Sequence, residues 1–202
     1  MATETIEDIL NAEEDMTQKY LHFVLKGNTP LLMHNPAGSM TVSTNNATRG
    51  KEIPTPEDEA EGGTYRDSKG NLAVPAAAVR NCILRASTGM RYGKKAAKPI
   101  ISGSILLMEE FFTLTDEKGN SIVDYVIDTR RVVVQRAGIM RSRAKIETPW
   151  YLEGKFLYNP LANLSTLQNV FHEGGLTVGL LDYRIEKTGP FGSFSVEELE
   201  II

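Results

Sequence analysis

The chain of 202 residues has a formal net charge of -4, with 41% hydrophobic and 24% charged residues, which is typical of a globular protein with one substantial core. Its single cysteine, Cys82, excludes an intramolecular disulfide and a site built from several thiolates, and it fits a reducing cytoplasm. The first twenty residues lack the features of a secretory signal, and no apolar run approaches the roughly 20 residues that span a bilayer.

The first third of the chain predicts an acidic arm, one strand and a long loop. Residues 1–18 hold six carboxylates and no base, which favours a flexible arm or a docking segment. Residues 20–27, YLHFVLKG, alternate between apolar and polar as a strand does. From Pro36 to Gly63 the chain is small, polar and acidic, which predicts an exposed insertion loop with one helical turn after Thr55.

The segment GNLAVPAAAVRNCILRAS predicts a short strand followed by a helix. Pro75 suits the first helical turn, because its missing N–H would have no partner there. Val79, Cys82, Ile83 and Ala86 have the spacing of a buried stripe. A cysteine on such a stripe is normally inert.

The remaining segments predict further strands and one helix. They are a hairpin at 105–127, a strand at 150–158, a helix at 161–175, and closing strands at 176–187 and 192–202. This order predicts an α+β domain over residues 19–202 with the insertion loop 36–63. We expect a ferredoxin-like, RRM-related antiparallel sheet with helices on one face.

Positive and negative charges are segregated along the chain. Residues 68–108 hold seven bases and residues 129–146 hold six, and neither segment contains an acid. Within 139–146 strand alternation places Arg141, Arg143 and Lys145 on one face, with Met140, Ala144 and Ile146 on the other.

A row of like charges destabilises a strand unless something neutralises it. Three interpretations remain open for this row. It is a solvated strand face, or the acidic arm or loop covers it, or it binds the phosphates of a nucleic acid. Exposed aromatic rings beside such cations can stack on the bases of a single strand. The predicted nucleic-acid-binding residues are Arg141, Arg143, Lys145, Arg136, Arg130, Arg131, Arg80, Arg85, Lys94, Lys95, Tyr92 and Trp150.

The motifs of common enzymes are missing from the sequence. His22, His34 and His172 do not have metal-ligand spacing. The segment GMRYGKK has too few residues between its glycines for a phosphate-binding loop, and a lysine replaces the required hydroxyl. No nucleophile elbow occurs. The sequence therefore predicts no catalytic site, no metal and no cofactor.

Three segments resemble the RAMP superfamily of CRISPR-associated RNA-binding proteins, particularly the backbone subunits that coat guide RNA. They are PLLMHN, GNLAVPAAAVRNCILRAS and GLLDYRIEKTGPFGSFSVEEL. The segments VVVQRAGIMRSRAKI and GPFGSFSV are also similar to small uncharacterised proteins of tailed phages and prophages. The helix entry Val74-Pro75-Ala76-Ala77 departs from the glycine and serine of the RAMP pattern, and the histidine of its RNA-cleaving members is not recognisable.

These resemblances imply a self-associating, phage-encoded protein in the cytoplasm of a bacterial host. It would bind single-stranded RNA or DNA without cleaving it. Two alternatives remain open, each with a protein partner from phage or host. One is a phage structural or assembly protein whose segregated charges join subunits, and the other is an inhibitor that mimics a host RNA-guided complex.

Overall fold

The computed structural model describes residues 18–38, 54–134 and 136–202. The predicted acidic arm, apart from Gln18, and residues 39–53 of the predicted loop lie outside these ranges. The described elements, in chain order, are β1 (Lys19–Gly27), β2 (Leu31–Leu32), α1 (Pro56–Gly62), β3 (Ala73–Pro75), α2 (Ala76–Ala86), β4 (Arg91–Tyr92), β5 (Lys95–Ala96), α3 (Ala97–Ser104), β6 (Ile105–Leu106), β7 (Phe111–Thr115), β8 (Val126–Val134), β9 (Ala137–Ile146), β10 (Tyr151–Tyr158), α4 (Leu164–Glu173) and β11 (Phe194–Ile201). A π-helical turn, Gly174–Val178, follows α4, and a 3-10 turn, Ile185–Lys187, precedes β11.

The main sheet has the strand order β11-β1-β10-β7-β3, and β6 also pairs with β10. Every pairing in it is antiparallel. Its four longest strands and two of the helices follow the chain order β1-α2-β7-β10-α4-β11. In the sheet these four strands lie in the order fourth, first, third, second. The predicted α+β class with an antiparallel sheet is confirmed.

Strand β1 lies between β11 and β10 in this sheet, and its alternation suits a sheet with one face covered by helices. Leu21, Phe23 and Leu25 are fully buried, whereas the residues between them are half-buried on the opposite face. The Phe23 ring meets Phe112 edge-on at 5.2 Å and stacks on Phe156 at 5.3 Å between centroids. These rings form the middle of the core.

Helix α2 follows Pro75 as predicted. Val79, Cys82 and Ile83 are buried, and Ala86 is half-buried against the core. The Cys82 thiol donates to the Gly174 carbonyl at 3.4 Å. Burial raises the pKa of this thiol to about 12, so it remains protonated and unreactive near neutral pH.

Two other local predictions have opposite outcomes. The helical turn after Thr55 is confirmed as α1, and the Thr55 hydroxyl caps it by accepting from the Asp58 N–H at 3.1 Å. The predicted strand over 176–187 is wrong. Gly179, Leu181 and Tyr183 all have positive φ, a conformation that cannot continue an extended strand.

A second sheet, β2-β9-β8, contains the basic stretch at 129–146. Strands β8 and β9 pair in an unbroken register from Val126 opposite Lys145 to Val134 opposite Ala137. Burial increases along β9: Met140 is 60% exposed, whereas Ala144 and Ile146 are buried. The prediction that Met140 faces the core is therefore wrong, because the hairpin extends beyond it.

Candidate nucleic-acid interface

The cations on β9 are already paired with carboxylates. Arg141, Arg143 and Lys145 are partly exposed, while Ser142, Ala144 and Ile146 between them are buried. Their pairs are Arg141 with Glu59 at 2.6 Å, Arg143 with Asp182 at 2.8 Å, and Lys145 with Glu147 at 2.6 Å. Acids of the same chain therefore neutralise the row.

Glu59 also accepts a hydrogen bond from the edge of β9 beyond the end of strand β2. Strand β2 covers the edge of β9 only as far as Ala144, whose carbonyl accepts from the Met33 N–H. Beyond that point the Ser142 N–H donates to Oε2 of Glu59 at 2.9 Å. Helix α1 from the acidic insertion thus covers this part of the row, as one of the open interpretations holds.

The other predicted cations of the hairpin divide into two kinds. Arg130 makes a forked pair with Asp128, and its guanidinium lies over the rings of Phe191 at 4.8 Å and Tyr183 at 5.6 Å. It therefore holds the hairpin against the turn before β11. Arg131 and Arg136 are exposed, and no carboxylate of the described residues pairs with either.

Two predicted contact residues have structural roles. Arg80 donates from Nε to the Ile105 carbonyl and from Nη2 to the Ser102 carbonyl, each at 2.8 Å, which ties α2 to α3. Trp150 is fully buried and donates from Nε1 to the Thr29 carbonyl at 2.9 Å. This burial contradicts the prediction that Trp150 is an exposed stacking ring, because its position just before β10 turns the side chain into the core.

Two neighbouring depressions run along the outer face of α2. The first has a volume of about 320 Å³ and contains His34, Tyr65, Asn81, Arg85, Asp182 and Arg184. The second has a volume of about 560 Å³ and contains Asn81, Leu84, Arg85, Thr88, Lys98 and Glu186. Since Asn81 and Arg85 line both, the depressions are adjacent, and we call the two together the α2 groove.

One carboxylate joins two guanidinium groups in this groove. Glu186 accepts from Nη1 of Arg85 and from Nη2 of Arg184, each at 2.6 Å. Burial opposes ionisation of Glu186, but hydrogen bonds from the two arginines outweigh it, so the pKa of this carboxyl lies below its usual value. Positive charge remains beside it, because two cations share a single anion.

An exposed basic segment adjoins the groove at Lys98. Arg91, Lys94, Lys95 and Lys98 are all exposed, and no carboxylate of the described residues pairs with them. Strands β4 and β5 form a small hairpin in which Tyr92 lies opposite Lys95. Tyr92 is half-buried and packs against the core, so only part of its ring faces solvent.

The turn that forms the other wall of the groove has an unusual backbone. Leu181 and Tyr183 have φ angles of 61° and 45°, which cost energy in residues with bulky side chains. Hydrogen bonds hold this conformation: the Asp182 N–H donates to the Leu32 carbonyl at 3.0 Å, and the Gly192 N–H donates to the Pro30 carbonyl at 2.9 Å. Strained backbone of this kind clusters at ligand sites.

Of the groove residues named above, the sequence predicted only Arg85; those missed include His34, Asn81, Asp182 and Arg184. His34 was noted only as a histidine without metal-ligand spacing. Asp182 and Arg184 lie in the segment GLLDYR, which was interpreted as a strand. The two glycines that flank this region, Gly179 and Gly192, could have signalled a turn instead.

No protein-family model matches the chain, and no curated protein is significantly similar to it. Within the described ranges, no group of three or more histidine, cysteine or acidic side chains is arranged to hold a metal ion. Those ranges likewise contain no helix with both the length and the apolar character that a membrane span requires. The α2 groove is the candidate functional site of the described residues.

Proposed function

We propose that the protein binds single-stranded nucleic acid, RNA or DNA, in the α2 groove without cleaving it. One observation carries this proposal: two adjacent depressions contain Arg85, Lys98 and Arg184 and lie beside an exposed basic hairpin that has no acid. Phosphates bind to such accessible cations and release counterions.

The groove is a better phosphate site than the cationic row on β9. A phosphate at the row would have to displace three carboxylates, and the Arg143 side chain is only 13% exposed. In the groove a strand would compete mainly with Glu186, while Lys94, Lys95 and Lys98 are accessible. The proposal thus moves the main contact from Arg141, Arg143 and Lys145 to the face of α2.

The size of the groove favours unpaired nucleotides. Depressions of about 320 and 560 Å³ are in the range of pockets for small molecules. Such pockets accept single bases and their phosphates, whereas a duplex is too wide to enter them. The exposed Arg131 and Arg136 offer a second contact for a longer strand.

The strand order supports the fold that the resemblance implies. A β-α-β-β-α-β chain whose strands lie in the order fourth, first, third, second fits the proposed ferredoxin-like, RAMP-like unit. This fold is compatible with the proposed role as a self-associating, guide-coating type of protein in a bacterial cytoplasm. Fold alone does not establish function, so the charged groove remains the basis of the proposal.

The test is fluorescence anisotropy with labelled single-stranded RNA and DNA at several salt concentrations. We expect Arg85→Glu combined with Lys98→Glu to weaken binding at least tenfold at low salt. Removing two phosphate contacts should reduce the slope of log K against log salt by about 1.4. Charge reversal at Lys118, an exposed lysine outside the groove, is the matched control. No binding by the wild type, or equal binding by the groove variant, would overturn the proposal.

A second candidate, assembly of subunits, is favoured by exposed apolar side chains on the β8–β9 hairpin. Val133 is 69% exposed and Met140 is 60% exposed, and Arg131 and Arg136 lie beside them in the chain. Light scattering after nuclease treatment separates the two candidates. Oligomers that persist without nucleic acid and dissociate in Val133→Ser would support assembly, whereas a nuclease-treated monomer would exclude it.

A further inference from the structure

The depression of about 320 Å³ in the α2 groove has more hydrogen-bonding capacity than phosphate binding requires. Besides Arg85 and Arg184 it contains an amide, an imidazole, a phenol and a carboxylate, from Asn81, His34, Tyr65 and Asp182. Phosphates need donors, whereas the edges of bases present both donors and acceptors. The side chains in this depression therefore suit a base as well as a phosphate.

Several of these groups have no hydrogen-bond partner among the described residues. The Asn81 amide and the His34 ring make no such bond there. Asp182 Oδ2 lies 2.8 Å from Arg143 Nε, but the N–H is not directed at the oxygen, so both buried atoms lack a hydrogen bond. Asn81 is exposed and His34 is half-buried, so both are accessible to a ligand, whereas Asp182 Oδ2 is a buried exception beside the cavity that calls for an explanation.

The protonation state of His34 also suits the binding of a base. Burial lowers the pKa of His34, and the nearby Arg143 and Arg141 lower it further, against the opposing effects of Asp182 and Glu59. The ring is therefore neutral at physiological pH and offers one donor and one acceptor. A charged ring would offer donors alone.

The backbone holds Asp182 in a defined position. It lies between Leu181 and Tyr183, the two residues with positive φ, and its N–H donates to the Leu32 carbonyl at 3.0 Å. Its side chain is one-third exposed, so a ligand can reach it. A carboxylate fixed in this way accepts hydrogen bonds from an exocyclic amino group.

We propose that this depression receives one unstacked base of the bound strand and selects a base whose Watson–Crick edge carries an exocyclic amino group beside a ring-nitrogen acceptor, which is adenine or cytosine. Asp182 accepts from the amino group, and the Asn81 amide donates to the ring nitrogen and accepts from the amino group. Arg85 and Arg184 bind the flanking phosphates. Uracil and thymine present a carbonyl where the amino group would lie, and so offer the Asp182 carboxylate no donor. This inference rests on the proposed function.

The experiment compares four RNA 12-mers: oligo-U, and oligo-U with one central adenine, cytosine or guanine. We expect a single adenine or cytosine to tighten binding at least fivefold over oligo-U. Asn81→Ala should reduce that gain below twofold, whereas Lys118→Glu, outside the groove, should keep it. Alanine is a good helix former at the exposed position of Asn81, so the Asn81→Ala variant should fold. Asp182→Asn, checked for folding by circular dichroism, should also abolish the gain.

The outcomes separate the two proposals. Equal binding of all four oligomers, or a gain that survives Asn81→Ala, overturns base selection and leaves nucleic-acid binding intact. A gain for guanine equal to that for adenine overturns the assigned preference. Absence of binding for every oligomer overturns the proposed function together with the inference.

Discussion

Replacement of Glu59 tests whether the acidic helix α1 is a structural part of the second sheet. Glu59 makes two contacts: an ion pair with Arg141 at 2.6 Å and a hydrogen bond from the Ser142 N–H at 2.9 Å. Glu59→Gln keeps an oxygen that can accept from Ser142 but removes the charge, whereas Glu59→Ala removes both contacts. The two variants therefore measure different interactions.

The expected losses of stability follow from how exposed the interacting groups are. The side chains of Glu59 and Arg141 are 18% and 41% exposed, so loss of the ion pair should cost up to about 1 kcal/mol. Ser142 is 5% exposed, so an unpaired N–H there adds about 1–3 kcal/mol. We expect the melting temperature to fall by about 2–4 °C for Glu59→Gln and by about 5–10 °C for Glu59→Ala.

The assay is thermal and urea-induced unfolding followed by circular dichroism. Glu57→Gln is the matched control, because Glu57 is an exposed acid on the same helix and its loss should cost under about 0.5 kcal/mol. Equal destabilisation by Gln and Ala would refute the role of the Ser142 hydrogen bond. Wild-type stability in both variants would refute the whole account. If the β9 row bound nucleic acid, Glu59→Gln would also increase affinity by freeing Arg141, whereas the groove proposal expects unchanged affinity.

Three further predictions concern packing, pH dependence and thiol reactivity. Gly154→Ala places a Cβ 2.5 Å from the buried Phe112 ring, so it should cost about 1–3 kcal/mol, and an unchanged urea midpoint would contradict this packing. Hydrogen bonds, chiefly from the Asn71 side chain, lower the pKa of Asp67 to about 2. Its stabilising effect should therefore be present above pH about 4 and lost as the pH falls towards 2. Asp67→Asn should flatten the stability profile in that window, and parallel profiles for the two proteins would argue against it. Cys82, whose pKa burial raises to about 12, should resist iodoacetamide at pH 8 until the protein unfolds, and rapid labelling of the native protein would disprove this burial.

Local patterns predicted the elements but not their arrangement. The alternation in β1 and the stripe on α2 follow from short-range periodicity, so both could be identified without a structure. The position of β1 between β10 and β11 depends on pairings such as Leu21 with Phe156 and with Ile201. These pairs join distant parts of the chain, and no local signal specifies them.

The dependence on contacts between distant parts of the chain also explains which site residues the sequence did not reveal. Alternation correctly grouped Arg141, Arg143 and Lys145 on one face. Two of their partners, Glu59 and Asp182, come from other segments, so the sequence offered cover of the row by the acidic loop only as one of three interpretations. Asn81 is an ordinary polar residue on helix α2, and nothing in the sequence marks it as a ligand contact. It becomes a candidate contact only because the turn at 179–192 lies beside it in the fold.

The position of β1 has a consequence for how the protein is made. Both neighbours of this strand, β10 and β11, are synthesised long after it. While translation continues, Leu21, Phe23 and Leu25 have no sheet to join, and an apolar strand edge remains exposed. We expect β1 to join the sheet only after β10 has left the ribosome and the sheet to be complete only after β11 follows, so chaperones that shield nascent strands should matter for the yield of folded protein.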